Sequence, residues 1–578
     1  MRPSRVAVFL IILLATSLLA EYYSPQMQGK RENWNSQHIE KEHGGHHTHQ
    51  RQTQNIETEK PKTPKDIEEI LETQPRHIAE AEDTAKIEPL STRAPTSWYM
   101  LIDEPGYYEL TQDIVDCTYE CGIYINAVSY THLTLPTTER GVRNESSKYG
   151  IYVDHATNIT IRNTKIQQWY YDGIYFYYSN NSKICNNTVQ NNAEGIHLYY
   201  SNNNTIRNNT VQNNCHGIYL YYSNNNTICN STVQDNNMYG IHLYYSNNNT
   251  ICNSTVQDNG YYGIDFCVSN NSKMYGNTVR DNGYHGIRFG GSNNNTVYNN
   301  SLINDGMLFQ ESYNNTVENN TVNGKPLIYI ENREDIVIEQ QAGQIILISS
   351  DNITIKNQNI TNTDVAIESW RTNNSKIYHN TIRNNSYGIY FGFSDNNTVY
   401  DNTIQNNIYG IYLYCYSNNN TIRNNTVQDN GGGIFLGSSN NSKIYHNTIR
   451  NNYYGIYFYH SNNSKIYLNN FINNTEQYKE EESKGNMFYS PQPITYMYKG
   501  KTYTNYTGNY WSDYNGTDTN EDGIGDQPYG PDQYPLIGIV KIEDGQTIIT
   551  APPTITITNP QNATATNQTT IIVEWNAT

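Results

Sequence analysis

Short runs in which apolar and polar residues alternate recur along most of this chain, separated by Asn-rich segments. In residues 217–223 (GIYLYYS), strand geometry places Ile218 and Leu220 on one face and the tyrosines on the other. Two shorter runs per repeat, such as Thr205–Arg207 and Thr210–Gln212, each direct one aliphatic residue to the same side. The pattern predicts three short β-strands per repeat and four inward aliphatic side chains.

The repeat has a nearly constant length. The glycines that precede the longer run lie 22 or 23 residues apart from Gly150 to Gly286. A second regular block runs from Ala366, which takes the glycine position, to Gly455. Asn suits the bends between strands because it tolerates left-handed backbone conformations and forms local hydrogen bonds. We therefore predict an all-β chain, a right-handed parallel β-helix with 22–23-residue coils stacked about 4.8 Å apart.

A single coil is too small to fold. Burying four aliphatic side chains stabilises a coil by about 6–12 kcal/mol, whereas ordering its backbone costs about 1 kcal/mol or more per residue. Stacking adds hydrogen bonds between coils, so stability is expected to depend on neighbouring coils and on Asn ladders at the bends.

Changes in composition divide the chain into segments. Residues 1–20 have a basic start and an apolar centre, which predicts a secretory signal peptide; a retained membrane anchor is the alternative, but the apolar run is short. Residues 21–95 are expected to form a disordered polar linker. Residues 96–475 are assigned to the β-helix, with an N-terminal cap at about 96–146, and residues 476–545 to a C-terminal cap region. Residues 550–578 resemble the first two strands of an immunoglobulin-like β-sandwich.

Two segments interrupt the regular pattern. Residues 128–141 lack both Asn bends and inward alternation, so we expect a loop that crosses the end of the β-helix. The alternative is a sequencing or assembly artefact that replaces a native coil. Residues 306–345 are looser, which suggests a coil with a protruding loop at residues 324–326.

The net charge is −18 and the isoelectric point is near 5.3, which argues against nucleic-acid binding. With a signal peptide and no other apolar span, we expect a secreted or cell-surface protein without a transmembrane span in the mature chain. Asn-x-Ser/Thr sequons at many bends agree with export, although a bend Asn followed by a strand Thr also generates them. The glycosylation candidates are Asn158, Asn203, Asn208, Asn225 and Asn319.

An acidic loop near the C-terminal cap predicts a structural Ca²⁺ site. Its oxygen donors alternate along the chain around a glycine, which is typical of calcium loops, while an acidic turn without metal is the alternative. Position 12 is Tyr529 instead of Glu, so the loop is closer to thrombospondin or dockerin calcium loops than to an EF-hand. The candidate ligands are Asp518, Asn520, Asp522, the carbonyl of Ile524, and Asp526.

Aromatic residues recur at equivalent outward positions of successive coils. Such a ridge is able to stack on sugar rings, although tyrosine is also a common strand residue whose rings stack on each other. The glycan-stacking candidates are Tyr175, Tyr177, Tyr199, Tyr219, Tyr221 and Tyr244.

One outward column changes character after Tyr219, where it reads His242, Asp265 and Arg288 on successive coils. Stacking brings these side chains together, which suits acid–base chemistry or recognition of a carboxylate, while a surface ion-pair ladder is the alternative. These three residues are the weak catalytic candidates. Cys229 and Cys252 occupy equivalent positions one coil apart and are expected to form a disulfide.

The chain resembles the NosD-like family of secreted right-handed parallel β-helix proteins, especially archaeal surface members. The resemblance covers residues 98–540. It rests on GIHLYYSNNNTIRNNTVQNN (195–214), PGYYELTQDI (105–114), NGKPLIYIENREDIVI (323–338) and GNYWSDYNGTDTNEDGIGDQPY (508–529). It implies a β-helix, export, and relatives that bind or hydrolyse carbohydrate; the family's namesake is linked to copper delivery. Residues 128–141 depart from the family pattern, which has a further Asn-, Gly- and Asp-rich coil there.

Three functional hypotheses follow. The first is an exported, non-catalytic β-helix protein that binds a polysaccharide or an envelope glycan. The second is a polysaccharide hydrolase or lyase, and the third is a copper-handling protein. The candidate copper ligands are limited to a His-rich tract in the linker, for which a solvated linker is the alternative. The tract comprises His38, His43, His46, His47 and His49.

Overall fold

The computed structural model describes residues 85–87, 98–110, 114, 117, 119–126, 131–134 and 148–550. The predicted signal peptide, most of the linker with its His tract, parts of the N-terminal cap and the predicted β-sandwich lie outside these residues. The chain divides into two units. In the first (residues 1–88 and 106–111), Ala85–Ile87 pairs in parallel with Gly106–Leu110. The second (residues 89–105 and 112–578) contains the solenoid.

The first block of the solenoid contains three parallel sheets, built from one strand of each per coil. Sheet 1 contains the longer strands: Trp98–Ile102, Cys121–Asn126, Tyr149–Asp154, Asp172–Tyr177, Glu194–Tyr199, His216–Tyr221, Ile241–Tyr244, Tyr262–Cys267, His285–Gly290 and Met307–Gln310. Sheet 2 contains Thr131–Thr134, Ile159–Arg162, Lys183–Cys185, Thr205–Arg207, Thr227–Cys229, Thr250–Cys252, Lys273–Tyr275, Thr296–Tyr298 and Thr316–Glu318. Sheet 3 contains Lys165–Gln167, Thr188–Gln190, Thr210–Gln212, Thr232–Gln234, Thr255–Gln257, Thr278–Arg280, Ser301–Ile303 and Thr321–Val322.

The second block repeats this plan. Its longer strands form sheet 4: Lys325–Glu331, Gln344–Ile348, Val365–Trp370, Tyr387–Gly392, Tyr409–Tyr414, Gly432–Gly437, Tyr454–Tyr459 and Glu476–Glu481. Sheet 5 contains Val337–Ile338, Thr354–Lys356, Lys376–Tyr378, Thr398–Tyr400, Thr421–Arg423, Lys443–Tyr445 and Lys465–Tyr467. Sheet 6 contains Asn359–Thr361, Thr381–Arg383, Thr403–Gln405, Thr426–Gln428, Thr448–Arg450, Asn470–Ile472 and Tyr510–Trp511. A separate sheet follows, with Lys501–Asn505, Ile494–Tyr498, Gln546–Thr550 and Ile539–Glu543 in that order.

The predicted β-helix architecture is confirmed. Strands of consecutive coils pair in register, with Ile218 opposite Ile241 and Leu220 opposite Leu243, and all four are fully buried. The glycine at the start of most of the longer strands is required by close approach, because a Cβ atom on Gly217 would lie 2.5 Å from the carbonyl oxygen of Gly240. Among the described residues there are no α-helices.

Buried polar ladders hold the bends together, as expected. Asn236 is typical: its backbone N–H and its Nδ2 both donate to Oδ1 of Asn259, at 3.2 and 2.9 Å. Its own Oδ1 accepts from the backbone N–H and Nδ2 of Asn214. Each Asn of the ladder is therefore hydrogen-bonded to the Asn of the preceding coil and to that of the following coil. Removing one Asn leaves partners on two coils unsatisfied.

The structure differs from the sequence-based expectations at two interruptions. Thr131–Thr134 is a strand of sheet 2 that pairs with Ile159–Arg162, so this part of the segment is not a loop. Asn323 and Gly324 have φ angles of 51° and 75° and form a tight hairpin instead of a protruding loop. This hairpin pairs Thr321–Val322 antiparallel to the start of Lys325–Glu331 and thereby joins sheet 3 to sheet 4. The hairpin is where the first block ends and the second begins.

The last coil extends further than predicted. Glu476–Glu481 pairs in parallel with Tyr454–Tyr459, beyond the expected end at residue 475.

Candidate functional site: the outward face of sheet 1

Three ladders of stacked aromatic rings cover the outward face of sheet 1. They arise because the third, fifth and sixth residues of the longer run (Tyr219, Tyr221 and Tyr222 in residues 217–223) point outward and stack in register from coil to coil. Neighbouring ring centroids within each ladder are 4.9–5.5 Å apart. The inner ladder is Tyr152, Tyr175, His197, Tyr219 and His242; the middle ladder is Tyr177, Tyr199, Tyr221 and Tyr244; the outer ladder is Tyr178, Tyr200, Tyr222 and Tyr245.

Rings inside a ladder cover each other's faces. The planes of Tyr199 and Tyr221 are inclined by only 3°, and those of Tyr200 and Tyr222 by 2°. Such rings present edges and hydroxyl groups to solvent, so stacking of a sugar on a ring face is restricted to the ends of a ladder. At one end, His155 already stacks on Tyr178 at 5.2 Å.

The structure brings His242, Asp265 and Arg288 together, because their strands are neighbours in sheet 1. His242 Nε2 lies 3.3 Å from one oxygen of Asp265, and Arg288 Nη1 donates to the other at 3.1 Å. The carboxylate is buried, while the His242 and Arg288 side chains remain 14% and 23% exposed. The guanidinium also lies 5.5 Å from the ring of Tyr262.

Burial determines the charge state of this group. Burial, together with the positive charges of His216 and Arg288, lowers the pKa of His242 to about 3, so the imidazole is neutral at pH 7. Burial raises the pKa of Asp265, against the opposing effect of Arg288. The group thus combines a neutral base with a cation, both held by one buried carboxyl group.

Similar pairs lie on preceding coils. His197 Nδ1 is 3.1 Å from Asp172, and His216 Nδ1 is 2.8 Å from Glu194. Pairing of histidines with carboxylates is therefore a recurrent feature of this face.

Sequence reasoning missed a second charged region, at the junction of the two blocks. Met307–Gln310 is the last strand of sheet 1, so it has no following strand to accept its N–H groups. Asp364 accepts from the N–H groups of Gly286 and Gly306 at 2.7 and 2.8 Å. Glu368 accepts from the N–H of Phe309 at 3.0 Å. Side chains of the second block thus complete the hydrogen bonding of the sheet 1 edge.

Burial raises the pKa of Glu368 well above its ordinary value, because the N–H of Phe309 is only a weak compensation. Burial also raises the pKa of Asp305, and the neighbouring Asp364 adds to this shift. The available sequence signal was the pair of acidic residues at positions 364 and 368, next to a following coil that carries aromatic residues.

Aromatic side chains next to the last two strands of sheet 1 also contact sheet 4 at this junction. The hydroxyl groups of Tyr284 and Tyr387 are 3.0 Å apart, and Trp370 Nε1 donates to the Tyr313 hydroxyl at 3.2 Å. His285 is buried between them, with Nδ1 at 3.7 Å from Asp364.

The acidic loop near the C-terminal cap is held by its own hydrogen bonds. Asp518 accepts from the N–H groups of Asp522 and Gly523 at 3.0 and 2.9 Å. The N–H of Ile524 donates to Asp522, and the N–H of Thr519 donates to Asp526. Gly523 takes a φ angle of 90° at the sharp turn. The side-chain amide of Asn520 donates to Asp522 at 3.2 Å.

A disulfide joins Cys229 and Cys252, whose Cα atoms are 4.6 Å apart, as equivalent positions on adjacent coils require. The five sequon residues are exposed at bends with left-handed φ angles between 54° and 59°. They are Asn158, Asn203, Asn208, Asn225 and Asn319.

The family model described as "Periplasmic copper-binding protein (NosD)" matches residues 113–306, 268–341 and 326–516, which together cover well over half of the chain. The chain belongs to the NosD family. No curated protein shows significant similarity to it.

Solved structures similar to this NosD-family chain share few residues with it. The periplasmic alginate epimerase AlgG is 14% identical, with 61% of this chain and 78% of that chain covered and a TM-score of 0.30. The Azotobacter vinelandii mannuronan C-5 epimerase AlgE4 A-module is 15% identical, with coverages of 64% and 89% and a TM-score of 0.24. The enzymatically active domain of bacteriophage CBA120 tailspike protein 2 is 13% identical, with coverages of 50% and 43% and a TM-score of 0.28. Similarity at this level says nothing about activity.

The description of the NosD family names copper, and a copper site needs several nitrogen or sulfur ligands to converge. Within the described residues, no group of three or more His, Cys, Asp or Glu side chains is arranged to hold a metal ion. This part of the chain therefore does not fit a copper site. Nor do the described residues contain a helix long and apolar enough to cross a membrane.

Proposed function

We propose that this protein is exported and displayed at the cell surface, where sheet 1 binds a polysaccharide or another envelope glycan without altering it. The observation that carries the proposal is the set of three parallel aromatic ladders on the outward face of sheet 1. The family's description as periplasmic supports export.

The ladders suit a sugar polymer for physical reasons. Tyrosine combines an apolar ring with a hydroxyl group, and in residues 177–245 both recur on successive coils, about 4.8 Å apart. Tyr178 and Tyr245 are 39% and 37% exposed, so the outer ladder is accessible. A solenoid provides an extended surface, and a polymer is able to contact many equivalent coils.

A screen of the full-length protein against a panel of neutral and acidic polysaccharides tests this proposal. The double variant Tyr199→Ser/Tyr221→Ser is expected to weaken binding about fivefold, because it removes the exposed edges and hydroxyl groups of two rings of the middle ladder. The matched control is Tyr275→Ser/Tyr298→Ser, which removes an equivalent stacked pair from sheet 2, where the centroids are 5.0 Å apart. Equal binding by both double variants, or no binding to any glycan, would contradict the proposal.

A second candidate function is cleavage of the polysaccharide, either by hydrolysis or by the elimination reaction of a lyase. The specific observation that favours it is the neutral, partly exposed His242 beside Arg288 and the buried Asp265. A neutral imidazole is able to accept a proton, although the lowered pKa makes His242 a weak base, and a guanidinium stabilises negative charge that develops on a substrate. New reducing ends or unsaturated sugars released by the wild type, but not by His242→Gln, would establish it.

Copper handling is a third candidate, favoured by the family description alone. The available ligands are the histidines of the tract at residues 38–49, outside the described residues. A copper competition titration of the full chain and of a variant lacking residues 21–95 distinguishes a site in the tract from a site elsewhere in the chain. Tight binding by the truncated variant would mean that the tract is not the site.

We further propose that the acidic loop at residues 518–526 binds Ca²⁺ in a structural role. Its three aspartates, Asn520 and the carbonyl of Ile524 are oxygen donors of the kind that Ca²⁺ prefers. The three carboxylates do not converge in the structure, so binding of the ion would have to draw them together. Calcium is expected to raise the melting temperature of the wild type but not that of Asp518→Asn/Asp522→Asn. Glu543→Gln, an exposed acidic change outside the loop, is the control.

A further inference from the structure

The aromatic ladders of sheet 1 stop abruptly after residue 245. The next coil places Cys267 opposite Tyr244, and Val268 takes the position that follows, equivalent to Tyr245. One coil further, these two positions are Gly290 and Gly291. Short side chains and then glycines thus replace rings that stand well above the sheet. Tyr244 and Tyr245, the last rings of the middle and outer ladders, therefore project above the surface that follows them. We call this change in height the step, and the surface formed by Cys267, Val268, Gly290 and Gly291 its floor.

The rings at this step differ from those inside the ladders. Tyr221 and Tyr222 are covered on both faces by rings of the preceding and following coils. Tyr244 and Tyr245 stack on a ring at one face only, and only the shorter Cys267 and Val268 follow on the other. Their outer parts therefore keep a free aromatic face directed along the sheet.

The floor of the step contains a cation. A Cβ atom on Gly290 would lie 2.7 Å from Nη2 of Arg288, so the guanidinium rests on the space that the glycine leaves. A Cβ atom on Gly291 would meet nothing closer than 3.8 Å, so the space beside the guanidinium is open. Nη1 donates to Asp265 and Nε donates to Gln310 at 3.2 Å. These two bonds and a hydrogen bond with the Cys267 side chain fix the guanidinium at the floor, with Nη2 next to Gly290.

We propose that this step is a subsite for a uronate, a sugar ring that carries a carboxylate. The sugar ring stacks on the free faces of Tyr244 and Tyr245, and its carboxylate accepts hydrogen bonds from Nη2 of Arg288 above Gly290. A planar carboxylate matches a guanidinium better than a neutral hydroxyl group does. The inference rests on the proposed glycan-binding function and specifies its ligand class: an acidic glycan anchored at residues 244–291.

Calorimetric titration of the full-length protein with a galacturonate hexasaccharide and with its methyl ester tests the charge. The two ligands have the same rings and differ only in the carboxylates. The acid is expected to bind about tenfold tighter, which corresponds to one charge-assisted pair, and the difference is expected to shrink at high salt. Equal binding of acid and ester would overturn the subsite.

The role of Arg288 is tested with two variants. Arg288→Gln leaves Asp265 buried without its cation, so Asp265→Asn/Arg288→Gln is used alongside it to avoid an unpaired charge. Both variants are expected to lose the preference for the acid while they bind the ester as the wild type does. A preserved preference in the double variant would overturn the role of the guanidinium.

The position on the sheet is tested with matched ring removals. Tyr245→Leu is expected to weaken binding of both ligands at least tenfold, whereas Tyr222→Leu, inside the same ladder, is expected to change it less than threefold. Equal losses in these two variants would overturn the step as the binding point. Binding of neutral glycans with no preference for acid would leave the proposed function intact and reject the subsite, whereas no glycan binding at all would reject both.

Discussion

Two stretches of sheet 1 share one core and differ in their outward face. Coils around Ile196 and Leu198 bury the same positions as the coil around Ile287 and Phe289, and all four side chains are fully buried. The outward positions carry stacked tyrosines in the first stretch, residues 172–245, but charged residues and glycines in the second, residues 262–310. Inward side chains are constrained only by packing between coils, so these positions stay constant. Outward positions are free to change, and they change next to the junction with the second block.

The largest expected effect concerns what the two stretches have in common. Asn236→Ala would leave the N–H of Asn214 without its acceptor and the carbonyl of Val211 without its donor. Each buried group left unpaired costs about 1–3 kcal/mol, so we expect a loss of about 3–5 kcal/mol in the free energy of unfolding. Urea denaturation measures it, and Asn237→Ala, at the exposed neighbouring position, is the control. A loss below about 1 kcal/mol, the least that one unpaired group should cost, would mean that the Asn ladders are dispensable.

This shared layer is the part that the sequence could predict. Alternation, the 22–23-residue spacing and the bend residues each report on local geometry, which a repeat displays many times over. They predicted the β-helix, the inward set and the adjacency of His242, Asp265 and Arg288. Cys229 and Cys252 followed from the same register argument.

The junction could not be predicted in this way. Asp364 and Glu368 accept hydrogen bonds from the N–H groups of Gly286, Gly306 and Phe309. These residues are 58 to 78 positions away in the sequence. Their partners are fixed by the hairpin at residues 323–324, which redirects the chain from one sheet to another. A periodic pattern contains no information about such a non-periodic contact, so the acidic residues had no visible partner.

The second prediction contrasts His242 with the neutral tyrosines of its ladder. Because burial lowers the folded-state pKa of His242 to about 3 from an ordinary value of 6.5, protonation favours the unfolded chain. Its stabilising contribution is therefore complete above pH 6.5 and is lost as pH falls towards 3, by about 1.4 kcal/mol per pH unit. The free-energy difference between wild type and His242→Gln should shift by about 3 kcal/mol between pH 7 and pH 4, in favour of the variant.

Denaturation series at several pH values measure this shift. Tyr219→Phe alters the ring that stacks on His242 at 4.9 Å and introduces no group that titrates in this range, so it serves as the control. A difference that does not change with pH would show that His242 is accessible to protons in the folded state.

The third prediction separates the two roles of Glu368. Glu368→Ala removes the acceptor of the Phe309 N–H and should cost about 1–3 kcal/mol. Glu368→Gln keeps a carbonyl acceptor and removes the ionisable group. Because the folded-state pKa is raised, the wild type loses stability as pH rises above the ordinary pKa of 4.5, and the Gln variant should not. Thermal melts of the wild type and both variants from pH 5 to pH 9 measure these effects. If the Ala and Gln variants lost stability equally at pH 5, the acceptor role of Glu368 would be refuted.

The smallest expected effect lies at the end of the second stretch, next to the junction of the two blocks. Asp305 ends a ladder of asparagines, and it accepts from the backbone N–H of Asn282 at 3.1 Å and from its Nδ2 at 2.6 Å. Asp305→Asn preserves an acceptor for both donors and should change the free energy of unfolding by less than about 1 kcal/mol at pH 5. Because the pKa of Asp305 is raised, the wild type should lose stability relative to this variant as pH rises. The reverse change within the ladder, Asn236→Asp, removes the Nδ2 donor to Asn259 and should destabilise at every pH. If both changes had the same effect, the end of the ladder would be no different from its interior, and the junction would be an ordinary continuation of the stack.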